Sequence, residues 1–330
     1  MKKVFVSTFP FSRSSEKPLE ILKKSGFEYA LNPLAKKLSG KELYEFASDA
    51  DVIIAGTEDL SVLIEKSSKL KLISRIGIGL DSVPLQICQS KGIKICYTPD
   101  AVTDAVAELA LGMMISLTRK ITLADRAVRL GGWQRFEGKS LKEQTIGLVG
   151  FGRIGKQVAT LLAPYKPTKI LIHDVVDKTT EINLLQQAGV KVLQVSLDQL
   201  IEESDIISFH IPKTPKTNNL INKDKFERMK NGVILVNTAR GGIVNEEDLM
   251  TFLDNGKVLG AGLDVFNNEP YVGSLCKYDQ LILTQHMGSC SVEARNRMEV
   301  EAVEDVIRFL KGENLLSPVD IDKELELLRN

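Results

Sequence analysis

From the N-terminus, short apolar runs rich in β-branched residues alternate with segments whose apolar residues recur at helical spacing. VFVSTF precedes EKPLEILKKSG, DVIIAGT precedes SVLIEKSSK, LKLISRIG precedes VPLQICQSKG, and IKICYT follows. That alternation predicts strand–helix–strand units. The helices carry end signals of their own: Ser39 and Glu42 stand at capping-box spacing, and Gly26 and Gly92 fall where a left-handed residue closes a helix. Strands so uniformly apolar need cover on both faces, because one wet face would leave Val and Ile side chains in water. The pattern therefore predicts a doubly wound parallel sheet.

At Thr103 the rhythm gives way to TDAVAELALGMMISLTRKITLADRAVRL, a single helical pattern of about 28 residues that is expected to bridge two bodies. Alternation then resumes in TIGLVG, KILIHD, KVLQVS, DIISFHI, GVILVNTA, LGAGLDVF and LILTQH, a second sheet. Beyond His286, SVEARNRMEVEAVEDVIRFLKG predicts another long helix, followed by a charged tail. The expected architecture is α/β with two doubly wound parallel-sheet domains. Residues 102–290 form one domain inserted into the other, which comprises 1–101 and 291–330, and two helical crossings serve as a hinge over a cleft.

Composition narrows the partners. The 330-residue chain is long enough for two cores, and Lys plus Arg balances Asp plus Glu at 43 each, so there is no net positive field to gather nucleic acid or an anionic membrane. A small ligand is expected instead. The apolar stretch 106–117 is interrupted by Glu108 and falls short of the ~20 residues that span a bilayer. The opening MKKVFVSTF lacks the length and cleavage site of a secretory signal. Cys88, Cys96, Cys276 and Cys290 form no CxxC pair, and their apolar neighbours suit reduced, partly buried thiols in a cytoplasmic protein without a metal site.

The chemistry begins at LVGFGRIGKQ. Gly150, Gly152 and Gly155 follow an apolar strand and, with Arg153 and Ile154, open a helix, the setting in which glycines allow a tight turn and let a pyrophosphate approach the helix N-terminus. Asp174 ends the next strand about twenty residues later, where an acid bonds a ribose diol and repels a 2′-phosphate. NAD is favoured over NADP, with Lys178 nearby as the one contrary sign.

Three histidines are available for proton transfer. His173 sits at the adenosine end, as a surface or packing residue. His210 ends a strand where the ligand crevice of an open α/β sheet lies, and can line the cofactor site. His286, before the small residues of MGS, is the candidate acid/base. Arg240, between a small residue and two glycines, can hold a carboxylate through two parallel hydrogen bonds. Asp264 ends a strand, and Glu269 follows in a loop stiffened by Pro270, where a carboxylate can fix the imidazole tautomer. A surface ion pair for Arg240 and an ordinary loop position for Glu269 are the alternatives.

At these segments, RGGIVNE, DVFNNEP and HMGS, the sequence resembles the D-isomer-specific 2-hydroxyacid dehydrogenases, over about residues 7–310. The resemblance implies a flavodoxin-like substrate domain split by an inserted Rossmann NAD-binding domain, and a homodimer joined through an arm at about 102–135. It makes Arg240 the binder of substrate carboxylate and carbonyl, Glu269 the partner of the histidine, and His286 the acid/base. By the same resemblance Asp264 and the backbone of Thr238, Ala239 and Arg240 hold the nicotinamide amide, His210, Pro212 and Gly288 line the cofactor, and the N–H groups of Gly77, Ile78 and Gly79 receive the substrate carboxylate. Gln285 and Cys290 stand where Pro and Thr are usual, which affects the local loop shape. AGTEDL, RIGIGLDSV and TPDAVTDAVAEL look most like D-3-phosphoglycerate dehydrogenases, with Arg75 and Arg135 as candidates for the phosphate. Reduction of glyoxylate or hydroxypyruvate, and a non-enzymatic NAD-responsive corepressor role, are the alternatives.

Overall fold

The apolar runs do form strands, and the physical reason is clearest in the second sheet. Ile146, Leu148, Ile170, Ile172, Ile206, Ile234 and Val236 enter one core, while Leu171, Ile207, Phe209, Leu235, Ala261 and Leu263 enter another. Successive residues of a strand point to opposite faces, so a sheet buried on both sides needs an unbroken apolar run. The computed structural model describes residues 2–329 and divides into two compact units, one spanning Thr103–Gly288 and the other made of the rest.

The second unit carries β1 to β5, at Lys3–Val6, Glu28–Leu31, Val52–Ala55, Leu72–Arg75 and Lys94–Tyr97, all parallel in the order β2-β1-β3-β4-β5. The Thr103–Gly288 unit carries β6 (Thr145–Val149), β7 (Lys169–His173), β8 (Val192–Gln194), β9 (Ile206–Phe209), β10 (Val233–Asn237), β11 (Val258–Leu263) and β12 (Leu281–Leu283). They pair in parallel as β12-β11-β10-β9-β6-β7-β8. This is the doubly wound order, with β6 and β9 adjacent at the point where the winding reverses. Both sheets match the predicted class.

Local signals hold where they were specific. Ser39 and Glu42 form a reciprocal capping box, and Gly26 and Gly92 take φ of 75° and 65°. Four expectations need correction. β2 has no counterpart in the sequence pattern, because an edge strand with Glu28 and Leu31 exposed has no apolar run to announce it. The helix of about 28 residues is two helices, Thr103–Thr118 and Ile121–Arg129, broken where Lys120 takes φ 53°. There Thr118 Oγ1 turns back to the Met114 carbonyl at 2.7 Å. The first helix buries Ala107, Ala110, Met113 and Met114, whereas the second buries nothing. The charged tail is partly helical, at Ile321–Arg329, and anchors through buried Leu325. Of the thiols, Cys88 and Cys96 are buried but Cys276 and Cys290 are exposed. Among the described residues no helix is long and apolar enough to cross a membrane.

Candidate active site

At the end of β6 the chain turns at Gly150, with φ 94°. A β-carbon there would strike the carbonyl of His210, and one at Gly155 would strike the carbonyl of Gly150, so both positions require glycine. Gly152 has nothing within 4 Å of that place and faces open space. The helix Arg153–Leu162 starts on Gly152 with no side chain capping it, which leaves its first N–H groups and its positive end for an anion. Arg153 is exposed and Ile154 half-buried on that first turn. Asp174 lies just beyond β7, where its carboxylate accepts the N–H of Phe151 at 2.8 Å and that of Val176 at 2.9 Å.

His210 follows β9. Both of its ring nitrogens are buried without a partner among the described residues, and burial pushes its pKa down to about 4, so the ring is neutral. The hydroxyl of Thr238, past the end of β10, is likewise buried and unpartnered. The orphaned ring of His210, whose carbonyl packs against Gly150, and the orphaned Thr238 hydroxyl fit a dinucleotide with hydrogen bonds to give and accept. Other expected cofactor contacts are already engaged within the protein. The Ala239 N–H donates to Asn237 Oδ1 at 3.1 Å, and its carbonyl accepts Arg240 Nη1 at 2.7 Å. Pro212 is exposed, and its carbonyl accepts the Thr217 hydroxyl at 2.7 Å.

The ends of β10, β11 and β12, neighbours in the sheet, supply the polar centre. His286 takes φ 50°, a left-handed conformation that costs an L-residue roughly 1–2 kcal/mol. Asp264, wholly buried, holds that turn: its carbonyl accepts the His286 N–H at 2.7 Å. Its Oδ1 accepts the Thr284 hydroxyl at 2.5 Å and the Met287 N–H at 2.8 Å, and Oδ2 accepts the Gly288 N–H at 2.8 Å. The carboxylate expected at the nicotinamide amide is therefore occupied by the histidine turn, together with the expected Gly288 N–H. His286 Nδ1 lies 2.8 Å from Glu269 Oε2, and Glu269 Oε1 accepts the Phe266 N–H at 3.0 Å. A carboxylate that only accepts places the ring proton on Nδ1 and leaves Nε2 for a substrate.

Arg240 is half-buried on the next turn. Buried Asn237 forms that turn, donating from Nδ2 to the Arg240 carbonyl at 2.9 Å. A β-carbon at Gly241 would collide with the Phe266 carbonyl, so the RGG turn packs directly on the loop that carries Glu269. Asn237 and Thr284 are absent from the residues that sequence reasoning selects. Their signal is the first polar residue after an apolar strand run, in VILVNTA and LILTQH.

In the other unit, the loop after β4 departs from expectation at one residue. The Gly77 N–H donates to Thr98 Oγ1 at 2.8 Å and so is not open to a carboxylate, whereas the N–H groups of Ile78 and Gly79 have no partner among the described residues. Arg75 is buried, donates to the Ile76 carbonyl and lies beneath Gly77. Arg135 is exposed on the loop after the helix Ile121–Arg129.

Residues 111–288 match the family model of the D-isomer specific 2-hydroxyacid dehydrogenase, NAD binding domain. The chain is 38% identical over 288 residues to a hydroxypyruvate reductase of Thermotoga maritima, covering 85% of this chain and 91% of that protein. It is 34% identical over 299 residues to a D-3-phosphoglycerate dehydrogenase of Methanocaldococcus jannaschii, 88% of this chain but 56% of that protein. Among solved structures, the TT0316 protein from Thermus thermophilus superposes with a TM-score of 0.85 at 31% identity, covering 97% of this chain and 100% of that one.

Proposed function

The chain belongs to the D-isomer specific 2-hydroxyacid dehydrogenases and is an NAD-dependent enzyme; from that premise we propose that its substrate is hydroxypyruvate or a 2-oxo acid of similar size, reduced to the D-2-hydroxy acid. The observation that carries the chemistry is the 2.8 Å contact between His286 Nδ1 and Glu269 Oε2. Reduced NAD, when bound, supplies the hydride. For reduction the ring starts as the imidazolium: the Nε2–H of His286 passes its proton to the oxygen of the carbonyl being reduced, and the ring returns to the neutral Nδ1–H form, which Glu269 holds in tautomer and orientation. Arg240 holds the carboxylate and stabilises charge as it grows on the oxygen. In the other unit, the N–H groups of Ile78 and Gly79 are available to a carboxylate. For the cofactor, the residues that would hold it are the glycine turn at 150–155, Asp174, His210 and Thr238.

The small-acid reading draws support from the hydroxypyruvate reductase likeness and from Arg75, whose guanidinium is turned onto its own backbone. The second reading, 3-phosphohydroxypyruvate, draws support from the phosphoglycerate dehydrogenase likeness and from exposed Arg135. NADH oxidation measured against hydroxypyruvate, glyoxylate and 3-phosphohydroxypyruvate decides. A kcat/KM at least tenfold higher for hydroxypyruvate than for its phosphate is expected, and the reverse order overturns the proposal. We also propose a homodimer through the segment 102–135. The helix Ile121–Arg129 buries no residue, and Ile121, Val128, Leu130 and Trp133 are 50%, 55%, 77% and 85% exposed. A monomeric mass in sedimentation would reject it.

A further inference from the structure

We propose that Asp174 is a positioning residue for the glycine turn itself, so that the side chain expected to read the ribose also sets the loop that receives the pyrophosphate. This rests on the assignment of that turn to the dinucleotide and is independent of the substrate. The two carboxylate oxygens reach in different directions, Oδ2 to the Phe151 N–H at 2.8 Å and Oδ1 to the Val176 N–H at 2.9 Å. Phe151 lies between Gly150 and Gly152, and its side chain is fully buried. Its N–H is thus fixed at the centre of the turn. The Gly150 N–H is tied to the same strand end, donating to the His173 carbonyl at 2.8 Å.

Asp174 is itself held. From β8, Gln194 Nε2 donates to the carbonyls of Asp174 at 3.3 Å and Val176 at 3.0 Å, while its Oε1 accepts the Lys178 N–H at 2.9 Å. A continuous set of hydrogen bonds therefore runs from β8 through residues 174–178 to the glycine turn. Bonds that involve an ionised partner are roughly twice as strong as neutral ones. Replacing Asp174 with a smaller neutral residue, the change that would make room for a 2′-phosphate, removes the acceptor and leaves the Phe151 N–H unsatisfied. Cofactor selectivity and turn geometry are then coupled in one side chain.

The test uses Asp174→Ser and Asp174→Asn in the full chain, with two readouts that need no turnover. The first is amide exchange at Phe151 in the ligand-free protein. The second is binding of 2′,3′-dideoxy-ADP, which keeps both phosphates and has no ribose hydroxyl for a carboxylate to accept. Losing a negative charge would by itself favour a diphosphate, so weaker binding points to the shape of the turn. We expect exchange at Phe151 to rise at least tenfold and dideoxy-ADP to bind about tenfold more weakly in Asp174→Ser, with smaller changes of the same sign in Asp174→Asn. Gln194→Leu should also speed the exchange. Unchanged exchange with equal dideoxy-ADP affinity in wild type and variants overturns the proposal. Should Asp174→Ser not fold, Asp174→Asn and Gln194→Leu decide on the same criteria. No dideoxy-ADP binding by the wild type would sink the assignment of the turn to the dinucleotide, while the exchange comparison still decides the clamp.

Discussion

His210 and His286 both stand just past the end of a parallel strand in the same sheet, and they have opposite surroundings. His210 has both ring nitrogens buried without a partner among the described residues, and its pKa is pushed down to about 4. His286 has a half-exposed side chain, a left-handed backbone and a carboxylate 2.8 Å from Nδ1. A strand end thus brings an imidazole to the ligand side of the sheet but does not decide its work. The partner decides: an imidazole held by a carboxylate can cycle a proton, whereas one stripped of water and partners stays neutral.

The largest expected effect strikes at His286. His286→Asn should lower kcat by roughly 10²- to 10⁴-fold while NADH still binds, checked by steady-state rates beside a fluorescence titration. Unchanged turnover would erase the distinction between the two rings. Arg240→Lys keeps the charge and loses the planar fork; kcat/KM for a 2-oxo acid should fall roughly 10- to 100-fold, and kinetics equal to wild type would free Arg240 of its role. Glu269→Gln replaces a carboxylate that only accepts by an uncharged amide that can turn its NH₂ to the ring, so the tautomer is no longer selected, and a drop of about tenfold in kcat at unchanged NADH affinity is expected. A variant as fast as wild type would make Glu269 an ordinary loop residue.

The smallest effect belongs to His210 and concerns stability. Its folded pKa of about 4 lies below the ordinary value near 6.5, so between those pH values the unfolded chain takes up a proton that the folded chain refuses. Its contribution is complete above about pH 6.5 and is lost as pH falls toward 4, up to about 3 kcal/mol. His210→Phe should show a smaller fall in melting temperature between pH 7.5 and pH 5 than wild type. Equal falls would show that the buried ring is not the titrating group.

Much of this protein was legible as pattern. All seven strands of the larger sheet fall on the apolar runs; the five inner ones are covered on both faces and so are apolar at nearly every position, while β8 and β12 at the edges are only partly buried. Gly150 and Gly155 were legible for a related reason, because a close backbone approach excludes any side chain. β2 was not, as an edge strand with exposed ends needs no apolar run. The break at Lys120 was hidden because no Gly or Pro marks it in SLTRKITL, and a single left-handed Lys between two helix-forming segments leaves no sign in the sequence.

The sequence by itself determined the elements, the glycine turn and the residue types available for chemistry, because strand burial and steric exclusion act on single positions and their neighbours. Which polar atoms meet was decided only by the tertiary structure. Thr98 closes the Gly77 N–H from 21 positions away, Asp174 reaches back 23 to Phe151, and Asp264 holds the His286 turn through a Gly288 amide 24 residues on. Each of these bonds joins groups on different strand ends within one sheet. Their donors and acceptors come within 3 Å through the register and order of the strands, and that register is set by the packing of the whole sheet.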